Sequence, residues 1–263
     1  MRLLPPGVAP LRRAALTRWA LLVTVCLTVL PSGAAWAAPG NPLLTSGRLA
    51  AASCPEPPLI DRGMPMTREY LTAALRCLNT SWSAHFARAG LRFRKPVARF
   101  YEEPARRVCG VRWPGGADAF YCTERATLVF TLTGHWIEGR TDLYPLKVAA
   151  HEYGHHLQSL TGVRDGYEAR VRADRTRQDE LGRRYELQAD CLAGVFLGAV
   201  RGSLPRTGQD WEALSGALRA GGDDGGRRTH GTGANRLRWF ERGLRAVSPA
   251  ACDTWTAPPS QVA

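Results

Sequence analysis

His151 and His155 stand four residues apart in the run His151-Glu152-Tyr153-Gly154-His155, inside an apolar-periodic stretch. Residues four apart on a helix share one face, one turn above each other. Two imidazoles so placed can each aim a ring nitrogen at one zinc ion. Zinc takes such nitrogens at roughly 2.0–2.1 Å and, in a catalytic site, keeps a position open for water. Glu152 adjoins the first histidine, within reach of that water as a general base. A plain pair of surface histidines would show the same spacing, so the reading needs a third ligand.

Glu186 and Asp190 are also four apart, in a stretch whose neighbours run apolar from Leu187 through Leu192 to Leu197. If that stretch is helical, both carboxylates share a face. Carboxylates on a largely buried helix are costly unless paired or metal-bound. One of the two can ligate the metal. The other can accept a hydrogen bond from a ligand histidine, which fixes its tautomer and raises its basicity. The competing reading pairs these carboxylates with arginines such as Arg183 and Arg184.

Three runs taken together carry a resemblance: His-Glu-Tyr-Gly-His-His-Leu-Gln from 151, Glu-Leu-Gln-Ala-Asp-Cys-Leu-Ala-Gly from 186, and His-Gly-Thr-Gly-Ala-Asn-Arg-Leu-Arg-Trp-Phe from 230. They resemble the bacterial neutral zinc metallopeptidase family, whose zinc helix and glutamate helix are arranged as in the gluzincin peptidases. Cys109-Gly110 and Phe120-Tyr121-Cys122 are similar to it as well, so the likeness spans roughly Arg92 to Leu244. The resemblance implies zinc ligands at His151, His155 and Glu186, Glu152 as base, and Asp190 as the carboxylate supporting a ligand histidine. Asn235 stands where that family usually carries glutamine.

The elements that must hold these residues are legible from pattern. Thr67 can cap a helix to about Ala89, with Tyr70, Leu71, Ala74, Leu75, Leu78, Trp82 and Phe86 on one face and His85 at the surface. Val97–Tyr101, a short run at Phe120-Tyr121 and Ala126–Leu132 read as strands. Zinc peptidases commonly hold a peptide as an added strand on a sheet edge, and Ala126–Leu132 reads either as that edge or as an ordinary interior strand. Thr141 or Asp142 can cap the zinc helix, which ends at Gly162. Asp165–Arg184 is charged and reads as a solvated helix or a flexible cover over the cleft. Trp211–Leu218 and Ala234–Val247 are further helices, and Gly221–Gly233 between them is a mobile loop. The expected fold is α+β: a mostly helical, zincin-like domain with a small antiparallel sheet beside the zinc helix.

The chain has 263 residues and 44% hydrophobic composition, enough for one well-buried domain. Residues 1–37 read as a signal peptide. Arg2, Arg12, Arg13 and Arg18 precede an apolar run from Ala20 to Leu30, and Ala35-Trp36-Ala37 offers the small residues for cleavage before Ala38. Cys26 lacks the preceding small residue that lipoprotein anchoring needs, so membrane association follows only if the leader is retained. Residues 38–53 read as a linker, 54–252 as the metallopeptidase domain and 253–263 as a flexible tail. Six cysteines remain beyond the leader, and an even count in an exported chain suggests disulfides. Cys109 and Cys122 flank a turn at Trp113-Pro114-Gly115-Gly116; pairing of sequence neighbours then joins Cys54 to Cys77 and Cys191 to Cys252. A catalytic thiol at Cys191 has no accompanying cysteine-protease signature.

Net charge is +12, and the leader holds four arginines and no acid, so the mature chain stays near +8. Such a charge is compatible with attraction to anionic cell-wall polymers, but a solvated arginine-rich face accounts for it more simply, and no nucleic-acid motif accompanies it. The expectation is a secreted or envelope-associated zinc peptidase carrying one zinc ion and acting on peptide or protein substrates. The alternative is a zinc-stabilised binding or structural protein with little turnover. The oxyanion of peptide hydrolysis needs a donor beyond the metal, and His230 and Arg236 are the candidates. Tyr153 faces away; His156 and His135 belong to packing or surface.

Overall fold

The apolar stripe from Tyr70 to Phe86 forms one side of helix α1 (Met64–Arg88), and every residue of it is buried. In the computed structural model, residues 40–57, 63–138, 140, 142–223 and 229–263 are described. The expected signal peptide with Cys26, the start of the expected linker and Thr141 as a helix cap lie outside the described residues.

His85 is buried rather than at the surface, because residues 40–57 lie along α1 and place Ser46 Oγ 2.7 Å from its Nε2. The expected linker is likewise packed chain. Leu43 and Leu49 belong to the main core, and the amides of Leu49 and Ala52 donate to the carbonyls of Val247 and Ala199. A Pro- and Gly-rich composition is compatible with burial when the backbone finds such partners.

After α1 the chain enters a small sheet of β1 (Val97–Tyr101), β4 (Ala119–Cys122) and β5 (Thr127–Thr131), in the order β1-β5-β4. β4 pairs antiparallel with β5, as expected, but β1 pairs with it in parallel, Val97 opposite Thr127. β5 is therefore the central strand, buried along its whole length, and not the edge that its position before the zinc helix suggested. Strand order depends on which distant segment returns alongside, here β1, and that is not written in local alternation. The hairpin β2 (Arg107–Val108) and β3 (Val111–Arg112) adds a second apolar cluster in which Val108 and Trp113 pack with Val129 and Cys122.

Helix α2 (Tyr144–Leu160) carries the two histidines. Asp142 Oδ1 accepts the Tyr144 amide at its start, and Gly162, at φ 75°, turns the chain directly into α3 (Val163–Ala173). The charged span 165–184 is thus helical: α3, a short turn, and the first residues of α4 (Gln178–Val200). From Leu187 to Leu197, α4 is buried on every side and forms the centre of the molecule. Helix α5 (Gly208–Ala220) and helix α6 (Gly233–Ala246) complete the helical layer. α6 crosses α4 so closely that a Cβ on Gly194 would lie 2.0 Å from the Phe240 carbonyl oxygen, which only glycine permits.

Residues 253–263, expected to be flexible, form a strap across α4 and α6. Arg183 Nε donates to the Val262 carbonyl (2.8 Å), Arg184 to that of Ala257 (2.9 Å), and Trp239 Nε1 to that of Gln261 (2.8 Å). Asn235 Nδ2 donates to Ser260 and Ala263 (3.1 Å each), so its amide anchors the strap. The cysteines pair as Cys54–Cys77, Cys109–Cys122 and Cys191–Cys252. Among the described residues, no helix is long and apolar enough to cross a membrane.

Candidate metal centre

Helices α2 and α4 bring the two sequence motifs face to face. Gly154 suits this close crossing: a Cβ there would sit 3.1 Å from Ala189 Cα, so α4 would have to give by a few tenths of an ångström to admit even alanine. At the crossing, Nε2 of His151 and Nε2 of His155 each lie 3.2 Å from Glu186 Oε2. One ligand atom from each of His151, His155 and Glu186 lies within 4.8 Å of the others.

The hydrogen bonds behind the rings set their tautomers. His151 Nδ1 lies 2.8 Å from Asp190 Oδ1, and His155 Nδ1 lies 2.8 Å from Gln158 Oε1. Both Nδ1 atoms face acceptors and so carry the proton, which leaves both Nε2 lone pairs on the side of Glu186. Two imidazoles and one carboxylate converging in this way are a donor set that fits zinc, whose binding takes the imidazoles in their neutral form, and leaves room for a further ligand. Without metal, the His155 pKa is pushed up to about 9: burial lowers it, but the Glu186 carboxylate, helped by Glu152, outweighs that. Glu186 is correspondingly held well below the usual carboxylate range, burial being overcome by His155 and His151.

Asp190 is fully buried and answers to more than a histidine. Lys147 Nζ is 2.5 Å from Oδ1, Arg236 Nε donates to Oδ2 at 2.9 Å, and Arg236 Nη2 donates to Oδ1 at 3.3 Å. These cations outweigh burial and hold Asp190 ionised. Arg236 Nη1 donates to the Gly221 carbonyl (2.6 Å). Its guanidinium is therefore committed to Asp190 and the loop backbone, which argues against the oxyanion-donor role expected of it. Arg183 and Arg184 hold the strap and Glu180, so the pairing of Glu186 and Asp190 with them is not what forms.

His230 reaches the site from the loop before α6. Its Nε2 is 3.5 Å from Glu186 Oε2, and its ring centre is 6.3 Å from that of His151. Asp223 Oδ2 accepts the amides of His230 and Gly231 and holds the loop in place; residues 224–228 lie outside the described set. Burial lowers the His230 pKa, outweighing the nearby Glu186 carboxylate, which raises it, and the Thr229 hydroxyl lies 2.8 Å from Nδ1. Glu152 is almost buried on α2 beside His151. Tyr153 does face away, donating to Asn79 Oδ1 at 2.9 Å. His156 is a packing residue: its Nδ1 accepts from the Tyr121 hydroxyl (3.0 Å) and its Nε2–H donates to the Arg94 carbonyl (2.7 Å). Burial lowers its pKa to about 4, so it stays neutral and ties β4 to the zinc helix.

Sequence reasoning missed Lys147, Gln158, Gln188 and Tyr185. Lys147 had a signal, since 147, 151 and 155 recur every four residues on one face. Gln158 sits three residues past His155, also within that face. Tyr185 stacks on the His155 ring, with centroids 4.8 Å apart and planes 15° apart, and Tyr167 of α3 stacks on Tyr185 in turn.

Residues 65–255 match the family model described as "Putative neutral zinc metallopeptidase". Among curated proteins, the chain is 30% identical over 209 residues to the uncharacterized protein YpfJ of Escherichia coli (strain K12), covering 71% of each. It is 37% identical over 133 residues to the uncharacterized protein Rv2575 of Mycobacterium tuberculosis (strain H37Rv), covering 42% of this chain and 43% of that one. No solved structure matches.

Proposed function

The chain belongs to the neutral zinc metallopeptidase family, and from that premise we propose that it is a secreted peptidase that hydrolyses peptide bonds with Glu152 as general base. The observation that carries this is the convergence of His151, His155 and Glu186 on one point, with Glu152 intact beside the first of them. A site serving structure alone has no use for that glutamate, and structural zinc ordinarily takes four protein ligands.

One zinc ion held by His151, His155 and Glu186 would supply Lewis acidity, lowering the pKa of water toward neutrality and polarising a peptide carbonyl. Glu152 takes the proton from the attacking water and passes it to the leaving nitrogen. Asp190 and Gln158 hold the two imidazoles in the tautomer that keeps Nε2 free. His230, whose Nε2 lies on the Glu186 side of its ring, would donate to the developing oxyanion. The peptide lies extended along β4, whose outer side has no partner strand among the described residues and which His156 fixes against α2. Export is supported by the three disulfides and by the leader-like first 37 residues.

The test is digestion of a diverse peptide library by residues 38–263, with Glu152→Gln in parallel. Products made only by the intact protein, and lost on chelation, are expected. A folded, zinc-loaded protein that yields none, or that only binds anionic wall polymer, would replace this reading with a binding protein.

A further inference from the structure

We propose that the Cys191–Cys252 disulfide is a positioning element of the metal site, setting His155 through Gln188 and Gln158, so that full zinc affinity is reached only after the chain is oxidised. This rests on the zinc reading above.

The two histidines are supported in different ways. His151 leans on Asp190, which is clamped by charges from α2 and α6. His155 leans on a neutral amide, Gln158 Oε1. An amide is symmetric in shape, so what keeps its oxygen toward the ring must be the partners of its nitrogen. Gln158 Nε2 donates to the Tyr185 carbonyl (2.8 Å) and to Gln188 Oε1 (3.0 Å). Gln188 offers that oxygen because its own Nε2 donates to the Cys252 carbonyl at 3.0 Å, and the same oxygen accepts a longer bond from Trp255 Nε1 at 3.4 Å. Gln158, Gln188 and Cys252 are all fully buried, so water cannot replace a missing partner.

The relay thus runs from the zinc-facing imidazole through two amides to one backbone carbonyl. That carbonyl belongs to a residue whose sulfur is bonded to Cys191, next in sequence to Asp190 on α4. Closing the bond converts two thiols to one disulfide. Two electrons and two protons pass to a disulfide-bearing oxidant by thiol–disulfide exchange. With the bond open, Arg184 and Thr254 still hold the strap beyond residue 253, through the Ala257 and Arg184 carbonyls. The change is then local: the Cys252 carbonyl keeps the Thr254 amide but loses its covalent tie to α4, Gln188 keeps Trp255 Nε1 but holds its carbonyl acceptor less firmly, and Gln158, left with the Tyr185 carbonyl as its firm partner, turns its nitrogen toward His155 in part of the population. A rotated amide favours the wrong tautomer and takes the Nε2 lone pair away from the metal.

The experiment measures the zinc dissociation constant, by competition with a chromophoric chelator, for residues 38–263 and four variants. These are C191A/C252A, Q188L, the triple variant C191A/C252A/Q188L, and C54A/C77A, which opens a disulfide far from the relay. Protein is kept free of reductant, since thiols bind zinc. C191A/C252A and Q188L are each expected to weaken zinc about tenfold. The triple variant should be no weaker than Q188L, because both changes cut one relay. C54A/C77A should lower the unfolding midpoint and leave zinc affinity unchanged.

A purely structural disulfide would give C191A/C252A a lower unfolding midpoint with wild-type zinc affinity, and that result overturns the proposal. If C191A/C252A does not fold, Q188L decides alone, and unchanged affinity there overturns it too. Failure of the wild-type chain to bind zinc would overturn the zinc reading itself, a different outcome from equal affinities.

Discussion

Lys147 Nζ lies 2.5 Å from the same Asp190 oxygen that faces His151 Nδ1 at 2.8 Å, with both lysine and aspartate closed to solvent. Arg236 shares that carboxylate, so two cations face one anion. The chain uses arginine for nearly all its positive charge, Lys95 and Lys147 being its only lysines. A compact ammonium fits where a planar guanidinium, with its five donors, does not. Removing the anion leaves two buried cations unanswered, whereas removing the lysine leaves Asp190 with Arg236. Asp190→Asn should therefore cost about 3–5 kcal/mol of unfolding free energy, and Lys147→Met less than about 2 kcal/mol. Urea titrations of both variants read this directly. The reverse order would mean that Lys147, and not Asp190, is the centre of the cluster.

Glu186 provides the oxygen on which both Nε2 atoms converge. Glu186→Ala should weaken zinc binding by roughly tens-fold or more while leaving helical content intact. Zinc occupancy measured by elemental analysis after dialysis checks it, and full retention would move the third ligand elsewhere.

Zinc must displace a proton to bind at neutral pH. The His155 pKa stands at about 9 without metal, because Glu186 outweighs burial. Below that value the ring is protonated, so zinc affinity should climb as pH rises from 6 and level off near 9. Calorimetry in two buffers of different ionisation enthalpy at neutral pH should return about one proton released per zinc. A buffer-independent heat would show that His155 is already neutral.

His230 lies 3.5 Å from Glu186 but belongs to a separate loop. His230→Ala should lower kcat by about 10–1000-fold while zinc affinity stays within about threefold. Loss of zinc in this variant would make His230 a ligand; no change in kcat would return it to an ordinary loop residue.

The parts of this architecture with a helical period are those a reader of the sequence can find. His151 and His155, and Glu186 and Asp190, each recur at four residues, and α1, α2 and α4 follow their apolar stripes. The three disulfides follow from pairing sequence neighbours. What escaped was contact between distant segments. β5 reads as a short run of strand-forming residues, Thr-Leu-Val-Phe-Thr, and its central place comes from β1 returning beside it in parallel. His85 sits on the helix where a polar residue would face water, and is covered by residues 40–57. Arg236 looked free to serve chemistry; its bond to Asp190 joins residues 46 positions apart.

The strap across α4 and α6 is gripped chiefly by its carbonyl oxygens, through Arg183, Arg184, Asn235 and Trp239. A carbonyl is the same whatever side chain it follows, so this attachment places little demand on residue identity. Thr256, Pro258, Pro259 and Ser260 point outward, while Cys252, Thr254 and Val262 carry the buried contacts. The outward positions are thus open to drift among relatives and to deliberate rewriting. An epitope or a recognition peptide written there would ride on the outside of the protein without loosening its seam.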